Sequence, residues 1–444
     1  MNAGYAARRD ALVAALAAAR APVRLAKDTS NLFRDREEAE RTRLDVRAFR
    51  NVLAVDPGAG FVESEGMTPY GELVDATLAR GVMPGVVPQL RSITIGGAVA
   101  GIGIESSSFR LGLVHETVEE LDILCGDARV VTATAANEHR DLFFGFPNSY
   151  GTLGYALRVK ARAFPVKRFV RLEHVHHDDP ERFFANLAAV CASAADFVDG
   201  TVFGPRAMVL SVGHFTDEAP YTSDYSFERI YWRSVRDRDE DYLTTRDYLW
   251  RWDTDWFWCS KNLYAQNPIV RRLLGRRRLN SVFYTKVMRW NARVGLTRLR
   301  DRLLGLHPES VIQDVDIPLA RAAEFLDFLL AEIGILPVWI CPFRAHRRGA
   351  RFPLYPVDPA ALYINFGFWD TVRTRERHPP GHFNRLVERK VAALGGIKSL
   401  YSESYFDRDE FWSIYDRDAY AALKRRYDPE GRFPDLYDKT VLRQ

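Results

Sequence analysis

The stretch Ser92-Ile93-Thr94-Ile95-Gly96-Gly97-Ala98-Val99-Ala100-Gly101-Ile102-Gly103-Ile104-Glu105-Ser106-Ser107-Ser108 decides how the chain is read. Its glycines let the backbone pass close to a partner and adopt positive φ. Successive free N–H groups in such a loop form a concavity that holds an anion. The hydroxyls of Thr94, Ser106, Ser107 and Ser108 add neutral donors, so a diphosphate is the natural guest. No strand–loop–long helix unit surrounds the stretch. No acidic residue follows at the distance the G-x-G-x-x-G dinucleotide fingerprint requires, so it is a different kind of loop.

Outward from this stretch, a second glycine loop, Gly151-Thr152-Leu153-Gly154, follows Asp141-Leu142-Phe143 and precedes a strand that ends at Pro165. Upstream, residues 8–20 read as an alanine-rich amphipathic helix in preference to a short signal peptide, and 22–26 as a strand. The polar loop Lys27-Asp28-Thr29-Ser30-Asn31 comes next. Short strands fit 51–55 and 60–65. A helix capped by Thr68 fits up to Arg80, with Gly81 as its stop. Strands at 119–125 and 129–133 flank the Gly126-Asp127 turn. Short strands with few long helices make an α+β domain. Beyond Pro165 the texture changes: strand patterns at 337–343 and 361–368 alternate with helices at 318–333 and 380–394, and a helix follows at 419–426.

Length and composition narrow the class. A chain of 444 residues exceeds one ordinary core, so two domains are expected. Lysine and arginine number 62 against 58 acidic residues, a balance that excludes a concentrated nucleic-acid-binding charge. Cys125, Cys191, Cys259 and Cys341 form no CxxC pair. Buried free thiols in a reducing, cytoplasmic compartment are expected, with no metal site.

Together the two glycine loops, Asp141-Leu142-Phe143 and the Leu121–Val131 hairpin pattern resemble the FAD domain of the vanillyl-alcohol oxidase family (PCMH type) over residues 20–165. Within that superfamily the chain most resembles the delta24-sterol reductases. The residues that carry this run in family order. They are Phe49-Arg50-Asn51-Val52-Leu53-Ala54-Val55-Asp56, Gly103 to Ser108, Gly151 to Gly154, Trp339-Ile340-Cys341-Pro342-Phe343, Leu362-Tyr363-Ile364, Leu400-Tyr401, Asp409-Glu410-Phe411-Trp412 and Phe433-Pro434-Asp435-Leu436-Tyr437-Asp438-Lys439. Two features depart from what is expected of the eukaryotic sterol enzymes: residues 1–20 do not read as the apolar anchor expected there, and arginines follow Asn267-Pro268.

The resemblance implies an α+β fold in two domains. Residues 1–165 would be a PCMH-type FAD-binding domain and 166–410 a substrate (cap) domain of antiparallel sheet and helices, with 411–444 returning to the FAD domain. FAD is expected to bind non-covalently at Lys27, Thr29, Ser30, Asn31, Ile93, Thr94, Gly96, Gly97, Gly101, Gly103, Glu105, Ser106, Ser107, Ser108, Gly151, Thr152, Leu153 and Gly154. His115, the one histidine near the glycine loops, is expected at a surface or strand edge. The implied reaction is reduction of a C=C bond in a hydrophobic, sterol- or isoprenoid-like substrate. NADPH or a partner protein would donate the electrons. The alternative is oxidation of an alcohol such as a sugar or lipid-linked sugar.

Hydride delivery to an alkene carbon must be matched by protonation of its neighbour. The candidate donors are Tyr363, Tyr401, Glu403 and Tyr405; on a strand, 401, 403 and 405 would share one face. Glu105 is expected to bond loop amides instead. Lys439 is expected to be exposed. Trp250, Trp252, Trp256 and Trp258 followed by Arg271, Arg272, Arg276, Arg277 and Arg278 leave three readings: a peripheral membrane contact through 250–278, a packed core beside a basic surface, or an anionic substrate held by the arginines.

Overall fold

Strand Tyr155–Pro165 is the spine of the first sheet in the computed structural model, which describes residues 3–19, 22–28, 41–347 and 349–443. It pairs antiparallel with Phe61–Glu65, Val118–Leu124 and Val82–Pro84. Val52–Asp56 and Val130–Thr134 complete six strands. Alternation makes one face apolar. Leu121, Ile123, Val131, Val159 and Ala161 meet Leu73, Val74, Ile95 and Val99 from the helices above. Each such buried aliphatic side chain contributes roughly 1.5–3 kcal/mol.

The alanine-rich opening is a packed helix, Ala3–Ala18. It buries Tyr5, Leu12 and Leu16, and the Tyr5 hydroxyl donates to Asp122 at 2.7 Å. A parallel pair follows, Val23–Ala26 beside Thr42–Asp45. The helix expected to be capped by Thr68 starts one residue later, at Tyr70 after Pro69, because the Thr68 hydroxyl donates to the Asn51 carbonyl at 3.3 Å.

The second sheet is wholly antiparallel. It has eight strands in the order Glu240–Thr244, Phe169–His177, Ala207–Thr216, Phe197–Gly204, Val338–Arg344, Leu362–Thr374, His307–Pro318 and Ile397–Lys398. Among the described residues no strand pairs across the two sheets. On one face Val198, Val311, Val315, Ile317, Ile340 and Phe366 pack against Phe183, Leu187, Phe325, Leu326 and Val387 of the covering helices. The helix expected over 318–333 is three pieces: a 3-10 turn at Leu319–Arg321, an α-helix at Ala322–Phe328 and a π turn at Leu329–Ile333. Gly334, at φ 69°, ends it.

The tail returns to the first sheet. Gly126 N–H donates to the Tyr427 carbonyl at 2.7 Å, Val23 N–H to the Arg432 carbonyl at 3.1 Å, and the Lys424 ammonium to the Thr152 carbonyl at 3.2 Å. Among the described residues no helix is long and apolar enough to cross a membrane.

Candidate functional site

A cavity of about 440 Å³ lies between the two sheets. One wall is the glycine stretch. Thr94 caps the short helix Ile95–Ala100, its hydroxyl accepting from Gly97 N–H at 3.3 Å. Ile93, Thr94, Gly96, Gly97, Gly101 and Gly103 all border the space, as do Gly151 and Gly154 of the second loop. The two loops thus converge on one cavity. The glycines are forced partly by protein. A Cβ on Gly96 would sit 2.7 Å from the Gly66 carbonyl oxygen, and one on Gly154, at φ 140°, 2.7 Å from that of Leu124. Several loop amides are also taken: Ile95, Gly96 and Ala98 donate to the Thr68, Gly66 and Thr94 carbonyls. These glycines therefore bring loop backbone against loop backbone, and the cavity is what remains beside them.

Not every loop residue reaches the space. Glu105, Ser106, Ser107 and Ser108 turn away, and Glu105 and Ser106 tie the loop toward the second sheet. Arg251 donates to Glu105 at 3.0 Å and to Asp199 at 2.8 Å, and the Ser106 and Tyr248 hydroxyls are 2.8 Å apart. Ser107 donates to the Gly85 carbonyl, and Ser108 accepts from Glu105 N–H. Burial raises the Glu105 carboxyl while Arg251 opposes the shift. As expected, Glu105 bonds a loop amide, that of Ser106. Thr152 donates to the Ser149 carbonyl and Leu153 is in the core, so neither lines the cavity. Lys27 does; Thr29, Ser30 and Asn31 lie outside the described residues.

Cations gather at the edge formed by the parallel pair. Arg24, Lys27 and Arg41 border the cavity there, and Lys439 borders it from the tail, its ammonium donating to the Tyr150 carbonyl at 2.6 Å. The Arg41 Nε is buried with no hydrogen-bond partner among the described residues. A diphosphate would satisfy it, so the donor set fits a dinucleotide. Beside the second glycine loop, Asn148, Tyr150 and Gly151 hold φ of 63°, 49° and 76°, strained backbone of the kind that clusters at ligand sites. His115 is not at a surface. It is 3% exposed, packs edge-on to Phe352 at 4.4 Å and is pushed down to about 3 by burial and by Arg347, because its 3-10 turn points into the core.

The opposite wall comes from the second sheet, and strand alternation selects it. Ser310, Ile312, Asp314 and Asp316 face the cavity, while Val311, Val315 and Ile317 face the helices. Register sets Asn365 opposite Asp316, Gly367 opposite Asp314 and Trp369 opposite Ile312. Of the readings left open for the tryptophans, the packed core holds. Trp250, Trp252, Trp256 and Trp258 are at most 7% exposed. Trp256 and Phe257, at φ 45° and 57°, turn into the cavity wall beside Trp339 and Trp369; the Phe257 and Trp369 rings are 4.4 Å apart.

Of the four donors expected, only Tyr401 borders the cavity. Its hydroxyl accepts from Trp369 Nε1 at 2.8 Å and hydrogen-bonds Asp314. Tyr363 stacks on Phe343 and its hydroxyl accepts from Asp358 N–H at 3.1 Å, off the cavity. Tyr405 donates to Glu403 at 2.6 Å, and both face Arg443. Beyond Ile397–Lys398 the chain leaves the extended form, so 401, 403 and 405 share no face.

Residues 5–134 match the profile of an FAD binding domain. The chain carries an FAD binding domain of the PCMH type. Over 422 residues it is 27% identical to the human Delta(24)-sterol reductase, covering 88% of this chain and 76% of that protein. The Arabidopsis thaliana Delta(24)-sterol reductase is 25% identical over 91% of this chain and 78% of its own length. Cytokinin dehydrogenase 7 of rice is 28% identical over 36% of this chain and 32% of its own.

Sequence reasoning missed Arg24, Arg41, Asp314, Asp316 and Asn365. A signal existed for two of them: Asp314 and Asp316 sit two apart in the stretch Val311–Ile317, a spacing that places both carboxylates on one strand face, opposite Val311, Gln313, Val315 and Ile317.

Proposed function

We propose that the protein is an FAD-dependent oxidoreductase that reduces a C=C bond of a hydrophobic, sterol- or isoprenoid-like molecule. The observation that carries this is the polarity of the cavity between the sheets. Glycine backbone and the cations Arg24, Lys27 and Arg41 form one side, and an aromatic wall holding a protonatable carboxylate forms the other. Likeness to the sterol reductases along nearly the whole chain supports it. When bound, reduced FAD supplies the hydride. The protein's part is to hold and shield. The cations would clamp the diphosphate, and the backbone of 93–103, Gly151 and Gly154 would line the dinucleotide's cavity. Trp256, Phe257, Trp339 and Trp369 exclude water and orient an apolar skeleton. Residues 1–165 serve the cofactor, 166–410 the substrate, and 411–444 close the first unit. FAD is dissociable, His115 being sequestered in the core, and NADPH is the reductant. Four free cysteines suit a reducing, cytoplasmic setting.

Purified protein should be yellow. Anaerobic NADPH should bleach the flavin with no alcohol present, and a lipid alkene should restore it. Bleaching by alcohols, with alkenes inert, would replace this function with that of an alcohol oxidase.

A lipid must reach the cavity, and its route lies under the helices at 268–304. Met288, on helix Ser281–Val294, borders the cavity from within. Outward, Ile269, Leu273, Trp290, Leu299 and Leu303 are 54–78% exposed. Residues 268–304 hold eleven lysines and arginines against one acid, Asp301, while the whole chain has 62 against 58. Exposed aliphatics among cations are the makeup of a surface that rests on anionic lipid. The contact thus shifts from the buried tryptophans of 250–258 to these helices. Arg271 is excluded from it, being buried in a pair with Asp255 at 2.6 Å. The protein should sediment with phosphatidylserine-containing vesicles and be released by salt, and Leu273→Glu with Leu303→Glu should abolish binding. Equal binding to purely zwitterionic vesicles would refute the charge component.

A further inference from the structure

Two aspartates on the same strand face meet different surroundings. Asp316 is fully engaged: the Tyr355 hydroxyl donates to it, as does Asn365 Nδ2 at 2.7 Å. Asp314 is not. Its Oδ1 is buried without a hydrogen-bond partner among the described residues, yet the side chain borders the cavity. Tyr401 also borders the cavity and bonds Asp314. Because Trp369 Nε1 donates to the Tyr401 oxygen, the Tyr401 proton is left to point at the carboxylate or at a guest.

We propose that Asp314 is the proton source of the alkene reduction, delivering through the Tyr401 hydroxyl. The inference rests on the reductase function proposed above. Reduced flavin gives a hydride to one alkene carbon, forming a C–H bond. The π pair is displaced to the neighbouring carbon and takes the Tyr401 hydroxyl proton. Tyr401 takes the Asp314 carboxyl proton in the same movement. The products are the saturated bond, oxidised flavin and an Asp314 carboxylate, which a solvent proton then restores. The surroundings keep the acid loaded: burial and Asp316 raise the carboxyl, the Tyr401 and Trp369 hydrogen bonds oppose them, and it is pushed up to about 7. Other charges around the strand are spoken for, with Lys398 on Glu388 and Lys261 on Asp370.

The test pairs a spectrum with a rate. In flavin-free protein, infrared difference spectra from about pH 5 to about pH 9 should show one protonated carboxyl titrating near 7 that Asp314→Asn lacks. In flavin-loaded protein, reoxidation of reduced flavin by the alkene should slow by about 100-fold or more in Asp314→Asn and in Tyr401→Phe, the scale of a lost general acid. The wild-type rate should fall above about pH 7 and the Asp314→Asn rate should be flat. Flavin affinity and NADPH bleaching should be unchanged in both, which separates this role from a folding defect. If no alkene reoxidises wild-type flavin, the reductase function fails and the inference with it. If wild type turns over and Asp314→Asn matches it, or the carboxyl titrates near 4, the inference alone is overturned.

Discussion

Replacing Asp314 by asparagine should change how stability depends on pH, in a direction the structure fixes. The aspartate titrates near 3.8 in the unfolded chain and at about 7 in the fold. Because the folded value is the higher one, the fold binds the extra proton. Its stabilising contribution is complete below about pH 4 and is lost as pH rises through about 7. A gap of about 3 units at 1.36 kcal/mol each sets a ceiling of about 4 kcal/mol, approached at about 1.4 kcal/mol per pH unit. Asparagine keeps the shape and removes the charge. Urea unfolding of both proteins between about pH 4.5 and pH 8.5 should therefore show curves that diverge upward in pH, Asp314→Asn becoming the more stable. Asp316, raised to about 6 mainly by burial, is present in both and largely cancels. Its repulsion of Asp314 vanishes in the variant, which adds a little to the divergence. Parallel curves across that range would show that Asp314 is ionised in the fold and would refute the reasoning.

The cofactor wall and the seam between the sheets make further predictions. Gly96→Ala should lose flavin and about 1–3 kcal/mol of stability, since its Cβ would meet the Gly66 carbonyl at 2.7 Å; flavin content and thermal unfolding check this. Arg41→Ala should weaken FAD binding about tenfold, read by fluorescence titration, with the unfolding midpoint of flavin-free protein unchanged. Arg251→Met should cost about 3–5 kcal/mol, because Glu105 and Asp199 would be left as uncompensated buried carboxylates. Acid precipitation should release all of the flavin into the supernatant, as non-covalent binding requires, and His115→Gln should not change that.

The parts legible in the sequence are the local ones. Gly96, Gly97, Gly151 and Gly154 announce close backbone approach wherever they occur, and the strands around Gly126-Asp127 lie within a residue of where alternation puts them. Family likeness then supplies the cofactor. What the same glycines approach is not local. Gly96 meets Gly66, and Glu105 meets Arg251 across 146 residues of chain, so its role as a fastening between the sheets cannot be read from its neighbours. The tryptophans of 250–258 show the same limit. Aromatic density beside arginines suits a membrane or a core equally, and only the packing of Phe257 on Trp369 decides.

Tyr401 and Asp314 carry the point further, because they show what register adds to sequence. Tyr401 entered as one of four hydroxyl or carboxyl candidates, three of them within 401–405. Three of them find partners elsewhere, in Asp358 or around Arg443, once the chain after Ile397–Lys398 abandons the strand. Asp314 gains its role from being opposite Gly367, which brings no side chain to meet it, while Asp316, one step along, meets Asn365 and is quenched. A Cβ at Gly367 would lie 2.8 Å from Asp314 Oδ1. The glycine therefore leaves room for both the Asp314 carboxyl and the Trp369 ring beside the cavity, and the chemistry of the carboxyl depends on a residue 53 positions away that itself has none.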